Sequence, residues 1–185
     1  MPRVRFGAVI ALALAAAFVA WLIVGMRGHS STPLSKSSTN GIQAIAGTGP
    51  EAMTTEGLKS FAAAVGHPVY WVGPRPGMTY ELTQTSNGRV YVRYLPAGVK
   101  VGVGEPYLTV VTYPFAHAFA ALTAVVKREG GVIKLGQGGI AIVDKAYPKS
   151  VHLAFPGSDY QIEVFDPSPP LARAIVVAGQ VGPIR

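Results

Sequence analysis

The segment Thr79-Tyr-Glu-Leu-Thr-Gln-Thr-Ser-Asn-Gly-Arg-Val-Tyr-Val-Arg-Tyr-Leu95 decides the fold. Apolar and polar residues alternate on both sides of Asn87-Gly88, the pattern of two paired strands. A two-residue turn at Asn87-Gly88 sets Leu82 opposite Arg93 and Gln84 opposite Tyr91, which mixes the two faces. A three-residue loop, Ser86-Asn87-Gly88, sets Tyr80 opposite Tyr94, Leu82 opposite Val92 and Gln84 opposite Val90. One face is then almost wholly apolar. The other carries Glu81 opposite Arg93, Thr83 opposite Tyr91 and Thr85 opposite Arg89. A slip of one residue destroys this sorting, so the pattern selects the longer loop. Gly88 supplies the left-handed residue that such a loop requires.

Other elements follow outward from this hairpin. Thr54 is placed to cap a helix that carries Leu58, Phe61, Ala62 and Val65 on one stripe, and Gly66 and Pro68 stop it. Val69 to Val72 is a short β-rich run. Tyr107 to Tyr113 reads as a strand, and Pro114 opens a helix with Phe115, Phe119, Leu122 and Val126 at helical spacing. Two further hairpins are predicted, Val132–Leu135 with Ile140–Asp144 and Val151–Phe155 with Tyr160–Phe165. In the second, Leu153 faces Ile162, Val151 faces Val164, and His152 meets Glu163 on the solvent side. Ser168 and Pro169 open a final helix that runs to Ala178. The predicted fold class is α+β: an antiparallel sheet with helices on one face, an αββββ quasi-repeat and a C-terminal helix.

Ahead of this domain, Gly7 to Met26 runs twenty residues without a charge. A helix of that length crosses the roughly 30 Å hydrocarbon layer of a bilayer. A cleaved signal peptide, followed by secretion, is the alternative, but its apolar core is usually shorter. Arg3 and Arg5 precede the span and favour an inside N-terminus. The expected organisation is a cytoplasmic stub and transmembrane anchor over 1–27, a flexible Ser/Thr/Gly/Pro stalk over 28–53 and an extracytoplasmic domain over 54–185. The expected localisation is the cell membrane, single-pass, with the domain outside.

Of the 185 residues, 16 are Lys or Arg and 9 are Asp or Glu, a net charge of +7. Nearly half of that excess lies beside the apolar span. No run of basic residues appears, so nucleic acid is not an expected partner. The absence of cysteine excludes disulfides, thiolate metal sites and a Cys nucleophile.

Neither Val101-Gly-Val-Gly104 nor Gly136-Gln-Gly-Gly139 matches a phosphate loop, and no histidine has metal-ligand spacing, so no cofactor is expected. His152 and Glu163 are the catalytic candidates, because a carboxylate beside an imidazole can orient a general base. Such a pair is more often an ordinary cross-strand contact. Arg89, Tyr91 and Arg93 are binding candidates: basic and aromatic side chains interleaved at strand spacing suit anionic polymers or sugars. Trp71 is a further candidate if a groove opens between sheet and helices.

Val69-Tyr-Trp-Val-Gly-Pro-Arg-Pro-Gly77, Thr79–Thr85, Arg89–Gly98, Leu153-Ala-Phe-Pro-Gly-Ser158 and Val164-Phe-Asp-Pro-Ser168 resemble uncharacterised membrane-anchored extracytoplasmic proteins of bacteria. The resemblance implies the location and assigns no residue a role. The expected function is non-catalytic binding at the cell envelope. The bilayer is a partner through residues 7–26, and an anionic envelope polymer or an envelope protein is the second partner. An envelope hydrolase and a small-ligand or lipid carrier are the alternatives.

Overall fold

The computed structural model describes residues 48–144 and 146–185; the apolar span 7–26 and most of the expected stalk lie outside the described residues. The elements in chain order are β1 (Thr48–Met53), α1 (Thr55–Ala64), β2 (Tyr70–Trp71), β3 (Met78–Gln84), β4 (Val90–Pro96), β5 (Thr109–Pro114), α2 (Ala118–Glu129), β6 (Ile133–Lys134), β7 (Ile140–Val143), β8 (Ser150–Ala154), β9 (Tyr160–Phe165), α3 (Pro169–Val177) and β10 (Gly182–Pro183). Among the described residues no helix is long and apolar enough to cross a membrane.

Eight strands form one sheet in the order β1-β3-β4-β5-β9-β8-β7-β6, and β2 pairs with β10 in a separate ribbon. Every pairing is antiparallel. Among the described residues the fold is therefore α+β, built on a large antiparallel sheet with three α-helices. The β3–β4 hairpin has the predicted register throughout, from Tyr80↔Tyr94 to Gln84↔Val90. Its loop closes through Thr85 N–H to the Arg89 carbonyl, and Gly88 adopts φ 78°. The predicted pairings of His152 with Glu163 and Leu153 with Ile162 are also present. Thr54 caps α1, its hydroxyl oxygen accepting the Gly57 N–H at 3.0 Å.

Several expectations are corrected. The sheet begins at Thr48, inside the segment read as stalk, because β1 pairs with β3. Pro114 does not open a helix. It ends β5 opposite Tyr160, and α2 starts after His117, which takes φ 57°. The helices do not share a face. Leu58 of α1 and Ala172, Ile175 and Val176 of α3 pack with Leu82, Val92, Val110, Val164 and Leu153. Ala118 and Leu122 of α2 pack with Ile142 and Ala154, which point the other way. The order αββββ recurs along the chain, but the halves are not equivalent in space. A twofold relating the antiparallel β5 and β9 keeps each face on its own side, whereas α1 and α2 lie on opposite faces. β2 also leaves the sheet, where its counterpart β6 stays.

Both sheet edges are irregular. β1 carries Pro50 and a register shift between Thr48 and Glu51, and β6 spans two residues.

Candidate functional site

The α2 face of the sheet is polar and buried. Cα partners run in one row across it: Thr83, Tyr91, Val111, Glu163, His152 and Ile142. The register thus puts Tyr91 and the pair His152–Glu163 in a single line. The solvent exposure expected for that pair is not observed: His152 is 8% and Glu163 5% exposed. α2 packs over β7, β8 and β9 on this side.

Glu163 holds a hydrogen-bonded centre. Ser150 Oγ donates to its Oε1 and Tyr113 Oη to its Oε2, each at 2.5 Å. Burial, and then the Glu163 charge, push the Tyr113 phenol well above its ordinary range, so it stays protonated and donates. The Arg89 guanidinium lies 5.8 Å from the centroid of the Tyr113 ring, and the side chains of Arg89 and Tyr91 are hydrogen-bonded. His152 Nδ1 is buried without a hydrogen-bond partner among the described residues. Ser150 bonds to the carboxylate and not to the imidazole, so Ser150, His152 and Glu163 are not in triad order.

Arg93 and Trp71 stand apart. Arg93 Nη1 donates to Glu81 Oε1 at 2.6 Å, and Nη2 donates to the carbonyls of Val103 and Glu105. Its charge is therefore consumed inside the fold. Trp71 is buried on the opposite face, edge-on to Tyr80 at 6.0 Å.

Next to Trp71, however, Tyr70 lines a cleft of about 800 Å³ on the α1/α3 side. Four separate segments build its walls: Pro68 and Tyr70, the β6–β7 turn at Leu135–Gln137, the β8–β9 turn at Phe155–Tyr160, and the chain from Val176 to Arg185. Tyr70 stacks on Phe155 with ring centroids 5.8 Å apart, and His67 stacks on Tyr160 at 5.0 Å. Phe155 and Tyr160 are half-buried. Burial raises the Tyr70 phenol, against a hydrogen bond with Ser158. Phe155 is seated over Gly139, where a Cβ would lie 2.7 Å from two ring atoms. Gln137 holds φ 54° at the mouth, a left-handed conformation for a residue with a side chain. Asp159 Oδ1 accepts the His117 N–H at 2.9 Å, which fixes that turn against the start of α2.

The cleft thus combines half-exposed aromatic rings with an amide, a hydroxyl, one carboxylate and one guanidinium. Such a lining holds a ligand by its apolar faces and orients it with few polar contacts. Among the described residues no group of His, Asp and Glu is arranged to hold a metal ion.

Sequence reasoning missed Tyr113 and Ser150, although both were within reach of the register argument. Ser150 lies two residues before His152 and so shares its face. Tyr70, Gln137, Phe155 and Tyr160 carry no local signal, because the cleft forms only when four distant segments meet.

No family model, curated protein or solved structure matches this chain.

Proposed function

We propose that this chain is a non-catalytic binding module, tethered to the outer face of a membrane through Gly7–Met26, that takes an extended, uncharged saccharide in the Tyr70–Phe155–Tyr160 cleft. The tether is supported by the length and apolarity of residues 7–26. The binding role is supported by one observation above the rest: half-buried rings and neutral hydrogen-bonding groups share a cleft of about 800 Å³. A sugar chain presents the matching surface, with apolar ring faces flanked by hydroxyls. Asp159 and Arg185 bring one charged side chain of each sign to the cleft, so its lining side chains do not select an anionic segment. Tyr91 and Arg93 are packed inside the domain, which weakens the anionic-polymer reading of that face.

The hydrolase reading has less support. Glu163, the orienting carboxylate of that reading, already accepts two hydroxyl donors, and His152, its base, is buried, whereas a general base must reach the proton that it takes.

The test is a titration of the full chain in detergent with N-acetylglucosamine oligomers, followed by tyrosine fluorescence and calorimetry. Tyr160→Ala and Gln137→Ala should each weaken binding, the ring truncation by about tenfold, the equivalent of ~1.4 kcal/mol. Retained thermal stability would show that the domain is intact. If the oligomers do not bind while a fatty acid does, the carrier reading replaces this one.

A further inference from the structure

The outer face of α3 has a composition that water does not explain. Leu171 is 55% and Val177 59% exposed, more than any other large apolar side chain among the described residues. Ala172, Ile175 and Val176 form the buried side of the same helix. Pro170, Leu171, Ala174 and Val177 lie outward, with Arg173 among them. A helix at a water-facing surface normally carries a polar outer stripe, and one that is apolar all round is covered on both sides. No acidic residue lies on α3. The carboxylate nearest in the chain, Asp166, is buried and accepts the Ser168 N–H at 2.8 Å.

We infer that the outer face of α3 rests on the lipid surface of the membrane that holds the chain, with Leu171 and Val177 in the headgroup region and Arg173 against lipid phosphates. This rests on the reading of Gly7–Met26 as an anchor. Two observations favour lipid as the occupant. The covalent chain between Met26 and Thr48, even fully extended, reaches no more than about 80 Å, which keeps the domain within reach of a bilayer that holds the anchor. The exposed charge on the helix, Arg173, is cationic, which complements anionic headgroups. α3 also leads into the cleft through Val176 and Gly179, so docking would hold the cleft mouth beside the membrane.

The absence of cysteine makes a clean test available. Val177→Cys and, separately, Val101→Cys are labelled with an environment-sensitive fluorophore in the full chain. Val101 is an exposed control in the β4–β5 loop. That loop lies on the other side of the sheet, where Gly102 N–H bonds Glu81. The labelled chains are reconstituted into phosphatidylcholine vesicles containing phosphatidylglycerol. The label at 177 should shift to the blue and be quenched by brominated acyl chains, and the label at 101 should do neither. Leu171→Asp should abolish the shift at 177 while the chain still floats with the vesicles. If the chain floats and the two labels behave alike, the inference is overturned and the anchor stands. A blue shift that appears equally in detergent and grows with protein concentration assigns the face to a second copy and also overturns it. A chain that does not float removes the anchor, and the inference falls with it.

Discussion

Glu81 and Arg93 meet across β3 and β4, with Nη1 2.6 Å from Oε1 and neither side chain more than 4% exposed. Gly102 N–H supplies Glu81 Oε2, and the carbonyls of Val103 and Glu105 take Nη2. The pair therefore pins the 97–107 loop to the α2 face of the sheet.

Removing one partner leaves the other charged, buried and uncompensated. Glu81→Ala should lower stability by about 3–5 kcal/mol, whereas replacing both residues with leucine should cost much less. Chemical denaturation of the two variants checks this. Equal losses in the single and double variants would contradict it.

Gly139 tests how the cleft floor is built. A Cβ there meets Cδ1 and Cε1 of Phe155 at 2.7 Å, so Gly139→Ala must displace the ring from its stack with Tyr70. A loss of about 1–3 kcal/mol is expected, together with weaker ligand binding. Gly49→Ala, away from the cleft and where a Cβ meets nothing within 4 Å, is the neutral control. Thermal melts and the oligosaccharide titration read both effects.

Gln137 tests whether strain is kept for a purpose. Its φ of 54° costs about 1–2 kcal/mol relative to a right-handed residue. Gln137→Gly relieves that strain but loosens the unfolded chain, leaving a net gain of up to about 1 kcal/mol. The same change removes an amide from the cleft and should reduce binding. A variant that is both more stable and equally good at binding would deny the side chain a role.

Four of the eight tyrosines, Tyr70, Tyr91, Tyr94 and Tyr113, hold their protons above the ordinary value of 10.0, chiefly through burial. Above about pH 10 the unfolded chain releases protons that the native state keeps. The unfolded state then binds fewer protons, so stability falls as pH rises through this window and is complete below it. Phenolate absorbance from these four should appear together with loss of the native circular dichroism. Ionisation of all eight in one step with the fold intact would contradict this.

Much of the fold was legible because alternation is a strong constraint. The pairings Tyr80↔Tyr94 and His152↔Glu163 follow from sorting side chains by face, and the structure has both. Alternation says which side a residue occupies but not what covers that side. Glu163 and His152 were therefore placed in solvent, and α2 covers them. The strand Thr48–Met53 escaped notice because Gly49 and Pro50 read as loop, and only β3 makes it a strand. Of the candidate site, Arg89 and Tyr91 reach the Glu163 centre. Arg93 does not, because the 97–107 loop that claims its guanidinium shows no periodicity of its own. The cleft was invisible for a related reason: Tyr70 lies far in the chain from the turn that carries Phe155 and Tyr160, and the remaining walls come from two further segments.

The two margins of the large sheet also bear on how copies of this chain behave when crowded. Pro50 removes one backbone donor from β1, Glu51 adds a charge, and the irregular step between Thr48 and Glu51 breaks the ladder that a neighbour would need. On the far side, β6 offers Ile133 and Lys134 and then ends. Neither rim gives another molecule a straight row of amides to zip onto. Densely packed domains would therefore slide past one another without fusing their sheets into a fibre.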